Sequence, residues 1–329
     1  MTATRQAHSP GSGQALPRPS FGLGRWRALK ERQREEIIAY ALVSPWVIGF
    51  IIFTLGAMAA SLVLSFTETD MLTLRWVGLD NFKMLFSADK TRSLFWVSLY
   101  NTGYYVLLSI PFVMVTGFLL AVLLNQNVRG QTTYRNIYYL PSVLPSIAVS
   151  LLWLWLFHRD FGILNYLLSL VGIKGPAWLF SVHWAKPALL IMSVWGAGGN
   201  MLIFLGGLQA IPTQLYEAAT IDGAGSLRRF FSVTIPMMSP TLFFVLVTDV
   251  IGSFQVFTSA YIMTAGGPNN STLMYVLYLY NLAFQQFRFG YASALAWVFF
   301  VIIMAFTVLL FRSSSVWVYY EGEIGGRRA

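Results

Sequence analysis

Long apolar runs, each about long enough to cross a lipid bilayer, recur along this 329-residue chain. A helix of roughly 20 apolar residues spans the ~30 Å hydrocarbon core of a membrane. Charged residues make up 11% of the sequence, whereas soluble domains usually carry about 25%. Such a composition cannot cover a large surface in water, so we expect an all-α integral membrane protein.

The apolar runs predict six transmembrane helices, at about residues 38–66, 98–124, 139–157, 187–208, 239–263 and 291–311. They define a transmembrane domain of residues 37–312, between an N-terminal tail (1–36) and a C-terminal tail (313–329). The stretch 273–287 is also apolar, but it is shorter than a span and contains Asn and Gln. We expect it to form an interfacial or re-entrant helix rather than a seventh crossing.

The N-terminal tail has two parts of different composition. Residues 1–24 are rich in Pro, Gly and Ser, so we expect most of the tail to be disordered. Residues 25–36 are highly charged and fit either a short helix on anionic headgroups or a solvated leader to the first span.

The distribution of Lys and Arg predicts the orientation of the chain. Of the 22 basic residues, 14 lie in the two tails and in the loops on the same side of the membrane, and eight lie in the other loops. Basic residues are enriched in cytoplasmic loops, so both termini and the loop at 212–237 should face the cytoplasm. The net charge of +9 is therefore explained by basic residues that set the orientation in the membrane, and we expect no nucleic-acid partner.

The residues that usually carry catalysis or cofactor binding are sparse. The chain contains no cysteine, which excludes thiolate nucleophiles and Cys-ligated metals. Its three histidines, His8, His158 and His183, show no metal-ligand spacing. The phosphate-binding pattern Gly-x-x-x-x-Gly-Lys-Ser/Thr is also missing, so we predict no catalytic residue, no metal site and no cofactor in this chain.

The loop at 212–237 is polar and lies between two long apolar runs. Residues 214–221 are expected to form a short helix, which Gly223 and Gly225 end because glycine adopts positive φ without strain. A second short helix, about 226–234, would lead to Pro236 at the membrane. Its small residues allow close approach by another protein and its carboxylates offer acceptors, although the composition alone also fits an ordinary charged turn.

Asp249 is the one acidic residue inside the predicted spans. It lies about 15 Å into the fifth, where an ionised Asp costs at least about 2.5–3.5 kcal/mol unless it faces a polar cavity or partner. On a continuous helix it would share a face with Gly252, Ser253, Val256 and Ala260. The neighbouring face would carry the aromatic rings of Phe254, Phe257 and Tyr261.

This combination of small, polar and aromatic groups suits a sugar, whose hydroxyls need hydrogen bonds and whose CH faces stack on rings. The alternative is that the small residues pack against another helix while the aromatic rings face lipid.

One passage carries a family resemblance. LYEAATIDGAGSLRRFFSVTIP, residues 215–236, resembles the EAA loop of permease subunits of bacterial ABC importers, and specifically the carbohydrate-importer branch. Further passages resemble the same family in the same order: FGILNYLLSLVG, VWGAGGNMLIFLGGLQAIP, GSFQVF and TAGGPNNST. The resemblance covers roughly residues 38–311.

The resemblance implies a type I ABC importer permease fold, with six transmembrane helices and a cytoplasmic coupling helix. We call residues 212–237 the coupling loop. Its implied ATPase-coupling residues are Glu217, Ala218, Ala219, Asp222, Gly223 and Pro236. The implied substrate path comprises Asp249, Gly252, Ser253, Val256, Phe254 and Phe257 in the fifth span, and Trp195, Gly196, Gly199 and Asn200 in the fourth.

The resemblance also implies partners in a bacterial or archaeal inner membrane. They are a second homologous permease, two copies of an ATPase that bind ATP and Mg, and an extracytoplasmic solute-binding protein received near residues 162–178 and 266–272. With surrounding membrane lipid, the chain would form half of a sugar path that works by alternating access. Glycerol-3-phosphate or a related polyol is an alternative substrate. An ion-driven secondary transporter and a membrane-embedded enzyme are alternatives of other classes.

Overall fold

The computed structural model describes residues 31–69, 73–86, 90–126 and 129–319. The chain divides into two compact units, residues 1–60 and 61–329. The predicted disorder of residues 1–24, the alternatives for residues 25–30 and the last ten residues of the C-terminal tail lie outside the described residues.

The first unit consists of helix α1 (Glu31–Gly49), a π-helical segment (Phe50–Leu55) and the start of helix α2 (Gly56–Leu64). Together these segments make a continuous apolar helix long enough to cross a membrane, Gln33–Leu64. It begins before the predicted residue 38, so residues 31–36 of the predicted tail are helical. Its large apolar side chains are exposed, as expected for a surface that lipid covers.

The helices of the second unit are, in chain order, α3 (Asp80–Phe86), α4 (Lys90–Leu124), α5 (Gln131–Val143), α6 (Ser146–Leu156), α7 (Ile163–Leu170), α8 (Ala185–Trp195), α9 (Gly198–Gln209), α10 (Thr213–Ile221), α11 (Ser226–Arg229), α12 (Ile235–Phe254), α13 (Thr258–Thr264), α14 (Tyr275–Tyr280) and α15 (Phe289–Trp317). Two π-helical segments extend this set. Phe230–Thr234 joins α11 to α12, and Asn281–Gln285 follows α14.

A short hairpin precedes α3, which the all-α prediction did not include. Strand β1 (Thr67–Thr69) pairs antiparallel with strand β2 (Leu74–Trp76). The buried amide of Asn81 donates hydrogen bonds to the carbonyls of Ser65 (2.9 Å) and Thr67 (2.8 Å), which fastens α3 to the hairpin. Three-residue strands are too short to show a period of two in the sequence.

Among the described residues, four helices are long and apolar enough to cross a membrane: Gln33–Leu64, Leu94–Leu124, Ser226–Phe254 and Phe289–Trp317. Two bent pairs complete a set of six if each counts as one span. The pair α5 and α6 bends by 98°, and the pair α8 and α9 bends by 44°. The predicted third and fourth spans are therefore broken helices.

Local chemistry accounts for these breaks. Leu144 precedes Pro145, and a residue before proline is pushed out of the helical region into extended conformation. Its φ of −68° and ψ of 142° fit that rule. The break between α8 and α9 falls at Gly196 and Ala197, where glycine weakens the helix.

Other boundaries also differ from the prediction. The helix of the fifth span ends at Phe254, and α13 follows as a separate short helix rather than continuing to residue 263. The last helix continues to Trp317, into the predicted C-terminal tail. The stretch 273–287 forms helix α14 and the π-helical segment after it, and Tyr275, Leu277 and Leu282 are fully buried in the larger of two hydrophobic clusters. That it is interfacial or re-entrant stays a prediction.

The smaller cluster joins α4, α9 and α12. Its buried members include Phe118 of α4, Met201 and Phe204 of α9, and Met238 and Val245 of α12. This cluster lies close to the coupling loop, because α9 is followed directly by that loop.

Gly290 is expected to be essential for packing the hairpin on α15. A Cβ at this position would overlap the carbonyl oxygen of Thr67, so Gly290→Ala should cost about 1–3 kcal/mol by overpacking. A lower thermal unfolding midpoint of the purified protein would show this cost. Gly206→Ala is the matched control, since a Cβ there meets no atom within 4 Å and alanine favours a helix. Equal midpoints for the two variants would contradict the packing argument.

Candidate functional site

The coupling loop contains a well-formed helix end at its sequence signature. Helix α10 ends at Ile221, and Gly223 follows with φ +76°, a left-handed conformation that favours glycine. The Ala224 N–H donates to the Ala219 carbonyl (2.9 Å), and the Gly223 N–H donates to the Thr220 carbonyl (3.0 Å). This pair of bonds is a Schellman motif, which fixes the direction in which the chain leaves the helix.

The residues around this turn are exposed. Glu217, Ala218, Asp222 and Pro236 are exposed, and Ala219 is half-buried. Two large apolar side chains flank the turn, Ile221 (87% exposed) and Leu227 (73% exposed). Apolar side chains this exposed on a fixed turn, beside exposed carboxylates, are typical of a protein-binding surface.

Hydrogen bonds hold the two halves of the coupling loop together. The Arg229 guanidinium donates to the hydroxyls of Thr220 (3.0 Å) and Ser226 (3.3 Å). Across the loop, the hydroxyls of Tyr216 and Thr234 are 3.0 Å apart. These contacts, which sequence reasoning did not find, make α10 and the start of the fifth span one braced unit.

Aromatic contacts continue this unit into the membrane domain. The ring of Phe230 lies 6.0 Å from that of Phe118, which in turn meets Phe204 edge-on at 5.5 Å. Phe204 belongs to α9, so the row connects the coupling loop to a helix of the fourth span. A cavity of about 440 Å³ lies beside the row, between the end of α4 and the loop.

The structure brings together two of the predicted substrate-path residues. The Asn200 amide donates a 2.7 Å hydrogen bond to the Asp249 carboxylate. Asn200 lies in the first turn of α9, whose N-terminal end carries a partial positive charge that stabilises a nearby carboxylate. Both side chains are half-buried, so the pair remains accessible.

Two neighbouring residues lie on the same helix as Asp249. Gly252 is exposed, and a Cβ there would meet no atom within 4 Å. The Ser253 hydroxyl lies 3.5 Å from the Ser109 hydroxyl of α4. Ser109 therefore joins the group, although a lone serine in an apolar run gave no signal in the sequence.

The face predicted for a continuous helix does not extend beyond Phe254. The helix ends with two hydrogen bonds of i to i+3 spacing: the Gln255 N–H donates to the Gly252 carbonyl, and the Val256 N–H donates to the Ser253 carbonyl. Val256 and Phe257 therefore lie outside this helix. Phe254 itself is 3% exposed and packs against Phe299 and Phe306. The structure thus places Phe254 in the hydrophobic core.

Phe257 has other aromatic neighbours. Its ring stacks on Tyr261 at 5.3 Å and contacts Tyr280 at 5.1 Å. In the fourth span, Trp195 is 37% exposed and meets the buried Trp153 edge-on at 5.9 Å.

The two glycines predicted beside Trp195 differ. Gly196 is exposed at the helix break. A Cβ on Gly199 would sit in ordinary contact with Ser142, at 3.7 Å, which fits a packing role.

The two segments predicted to receive a binding protein differ in exposure. Helix α7 and the residues after it expose large apolar side chains, among them Tyr166 and Val171, beside a groove of about 870 Å³. In the segment 266–272, Ser271 and Thr272 are buried, and the hydroxyl of Thr272 donates to the Gly267 carbonyl. The first segment is therefore the more accessible surface.

The fold and the loop define the class of protein, a helical membrane protein with a braced, exposed loop between two of its spans. A crystal structure of a bacterial alginate ABC transporter in complex with alginate pentasaccharide-bound periplasmic protein contains a chain of the same fold. Its TM-score is 0.74 at 23% identity, with 85% of this chain and 95% of that chain covered.

Comparison with protein families gives the assignment. The family described as binding-protein-dependent transport system inner membrane component matches residues 113–320, and the chain belongs to it. It is 44% identical to the probable ABC transporter permease protein YesP of Bacillus subtilis, over 88% of this chain and 94% of that one. It is 32% identical to the sulfoquinovosyl glycerol transport system permease protein SmoG of Agrobacterium fabrum, over 88% and 92%. The resemblance drawn from the coupling loop is confirmed.

Gly223→Ala should weaken the helix end without any steric clash. A Cβ at Gly223 meets no atom within 4 Å, so the cost is that of a left-handed alanine, about 1–2 kcal/mol. In this variant, hydrogen exchange of the backbone amides at position 223 and at Ala224 should accelerate by about tenfold. Gly225→Ala is the matched control because φ at Gly225 is −65°. Unchanged exchange in Gly223→Ala would contradict the assigned conformational role.

Proposed function

We propose that this chain is one half of the membrane path of an ATP-driven importer for a neutral sugar. The observation that carries the proposal is the braced, exposed coupling loop, joined through Phe230, Phe118 and Phe204 to the helix that holds Asn200. A loop that is rigid and also connected to the substrate path can transmit the movement of a cytoplasmic partner to that path. Both termini and the coupling loop are cytoplasmic in this proposal, as the distribution of basic residues supports.

The proposed mechanism is alternating access. A pair of cytoplasmic ATPase subunits binds ATP and Mg, and the groove of one subunit receives Ile221 and Leu227 together with Glu217. Closure of the ATPase pair moves α10. Because Arg229 fixes α10 to the start of the fifth span, the movement reaches α12 as a rotation of the whole helix.

The chemistry around Asp249 favours a neutral, hydroxyl-rich substrate. Within the described residues Asp249 forms no ion pair, and its hydrogen-bond donor is the neutral amide of Asn200. A carboxylate accepts hydrogen bonds from sugar hydroxyls, and the exposed ring of Trp195 offers a stacking surface. Glycerol-3-phosphate would instead favour a cation near this carboxylate. The relatives named for lactose and for trehalose/maltose transport support a neutral carbohydrate substrate.

The remaining partners complete the transporter. A second homologous permease supplies the other half of the path, facing the exposed side of Gly252 and Gly196. A solute-binding protein delivers the sugar at the opposite end from the coupling loop, where the exposed apolar side chains around Tyr166 form a suitable surface. The periplasmic protein bound to the alginate transporter supports this arrangement.

Gly223→Pro should uncouple the transporter. Proline cannot adopt φ +76° and removes the N–H that donates to the Thr220 carbonyl, so the turn must rearrange. Copurification with the ATPase and ATP-driven uptake into proteoliposomes should both be lost, whereas Gly225→Ala should retain them. Normal uptake by Gly223→Pro would reject the coupling role. Uptake driven by an ion gradient without the ATPase would instead indicate a secondary transporter.

Asp249→Ala should lower sugar uptake by at least about tenfold, the loss expected when a hydrogen bond to a charged group is removed. Binding-protein-stimulated ATP hydrolysis measures the same defect in the assembled complex. Thr248→Ala is a neighbouring control, because the Thr248 hydroxyl bonds only to carbonyls of its own helix within the described contacts. If Asp249→Ala transports like the wild type, Asp249 does not belong to the substrate path.

A further inference from the structure

An apolar groove separate from the substrate path runs along the surface between α4 and α8. Its volume is about 300 Å³, and its lining residues are Tyr104, Leu108 and Phe112 of α4 with Pro187, Leu190, Ile191 and Val194 of α8. We call it the outer groove. On α4 the lining residues recur every fourth position, so they form one continuous stripe about 12 Å long.

A lysine lies at one end of the outer groove. Lys186 immediately precedes the lining residue Pro187, and its ammonium lies 5.0 Å from the ring of Tyr104, which also lines the groove. It lies 4.7 Å from the ring of Tyr100, and it donates a 3.0 Å hydrogen bond to the Asn101 side-chain oxygen. The two rings and the amide hold the ammonium in place.

The partners of Lys186 leave its charge uncompensated. The aromatic faces and the amide oxygen are neutral, and in the described part of the chain Lys186 forms no ion pair with a carboxylate. A cation beside hydrocarbon is costly unless a counter-charge or water reaches it. An anionic group at this position would therefore stabilise the ammonium.

We propose that the outer groove binds an anionic phospholipid, with an acyl chain between α4 and α8 and the phosphate on Lys186. The geometry fits because a stripe of about 12 Å is close to half of the ~30 Å hydrocarbon core, the part that belongs to one leaflet. The apolar stripe ends at an ammonium that forms no ion pair within the described residues, an arrangement that fits an acyl chain and its anionic headgroup.

The placement of this lipid rests on the proposed function in one respect, the orientation of the chain. Lys186 is the second residue of α8, and α8 and α9 lead away from it to the coupling loop. With that loop in the cytoplasm, the bound lipid belongs to the extracytoplasmic leaflet. It lies between the second span and the first half of the fourth, next to the break at Gly196.

Native mass spectrometry of the purified transporter complex tests the proposal. The probes are phosphatidylglycerol and phosphatidylcholine with identical acyl chains, added after delipidation, without sugar or ATP. The wild type should retain phosphatidylglycerol about fivefold more tightly, the preference expected from one lysine near an anionic lipid. Lys186→Gln should abolish this preference and Lys186→Arg should keep it.

A second variant tests the apolar half of the site. Ile191→Trp fills the groove at a partly exposed position, so it should weaken the binding of both lipids while the complex stays folded. Lys174→Gln and Leu107→Trp are the matched controls, an exposed cation and an exposed apolar residue that do not line the outer groove. Both should bind the two lipids as the wild type does.

Three results would overturn the proposal. They are an unchanged phosphatidylglycerol preference in Lys186→Gln, unchanged lipid binding in Ile191→Trp, and a crosslink from Ile191→Cys to another subunit. The crosslink is unambiguous within this chain because it has no native cysteine. Loss of sugar uptake does not enter these measurements, so a failure of the proposed transport function is distinguishable from a failure of the lipid site.

Discussion

The packing of Phe118 between Phe230 and Phe204 is the contact that joins the coupling loop to the helices of the membrane domain. It joins three helices that are distant in sequence at the point where the coupling loop enters the membrane domain. Aromatic pairs in such geometry contribute about 0.5–1.5 kcal/mol beyond the area they bury. Without this row, the loop could fold correctly and still move independently of the Asn200–Asp249 pair.

Several polar groups in the spans have specific hydrogen-bond partners on other segments. Asn101 is one example, because its amide donates to the carbonyls of Asn270 and Leu273 while its oxygen accepts from Lys186. Thr102 next to it accepts the N–H of Tyr275. These bonds draw an irregular loop and the short helix α14 into the apolar core, where unpaired backbone groups would be costly.

The sequence predicted the features that depend on local chemistry. Glycine adopts the left-handed conformation that ends a helix, so the helix end at Gly223 was predictable without knowledge of the distant contacts. An Asp in an apolar run is costly without a polar partner, so a partner for Asp249 was predictable too. The features that depend on distant contacts escaped prediction. The hydrogen bond from the Tyr275 N–H to the Thr102 hydroxyl holds α14 in the core, and these two residues are 173 positions apart in the sequence. Phe254 lies in the core at the last position of its helix, and nothing in the composition predicts that the helix ends there. The hairpin was too short to leave a pattern.

The fifth span is one unbroken helix from Ser226 to Phe254, so a tilt at one end of this helix also displaces the other end. Asp249 lies about 35 Å from the start of this helix at 1.5 Å per residue. A tilt of about 10° around the middle would move each end by about 3 Å, enough to make or break a hydrogen bond. In the proposed mechanism, the displacement at Asp249 therefore depends on the stiffness and length of one helix. Sequence changes between Ser226 and Asp249 would then alter that displacement even where the residues at both ends are unchanged.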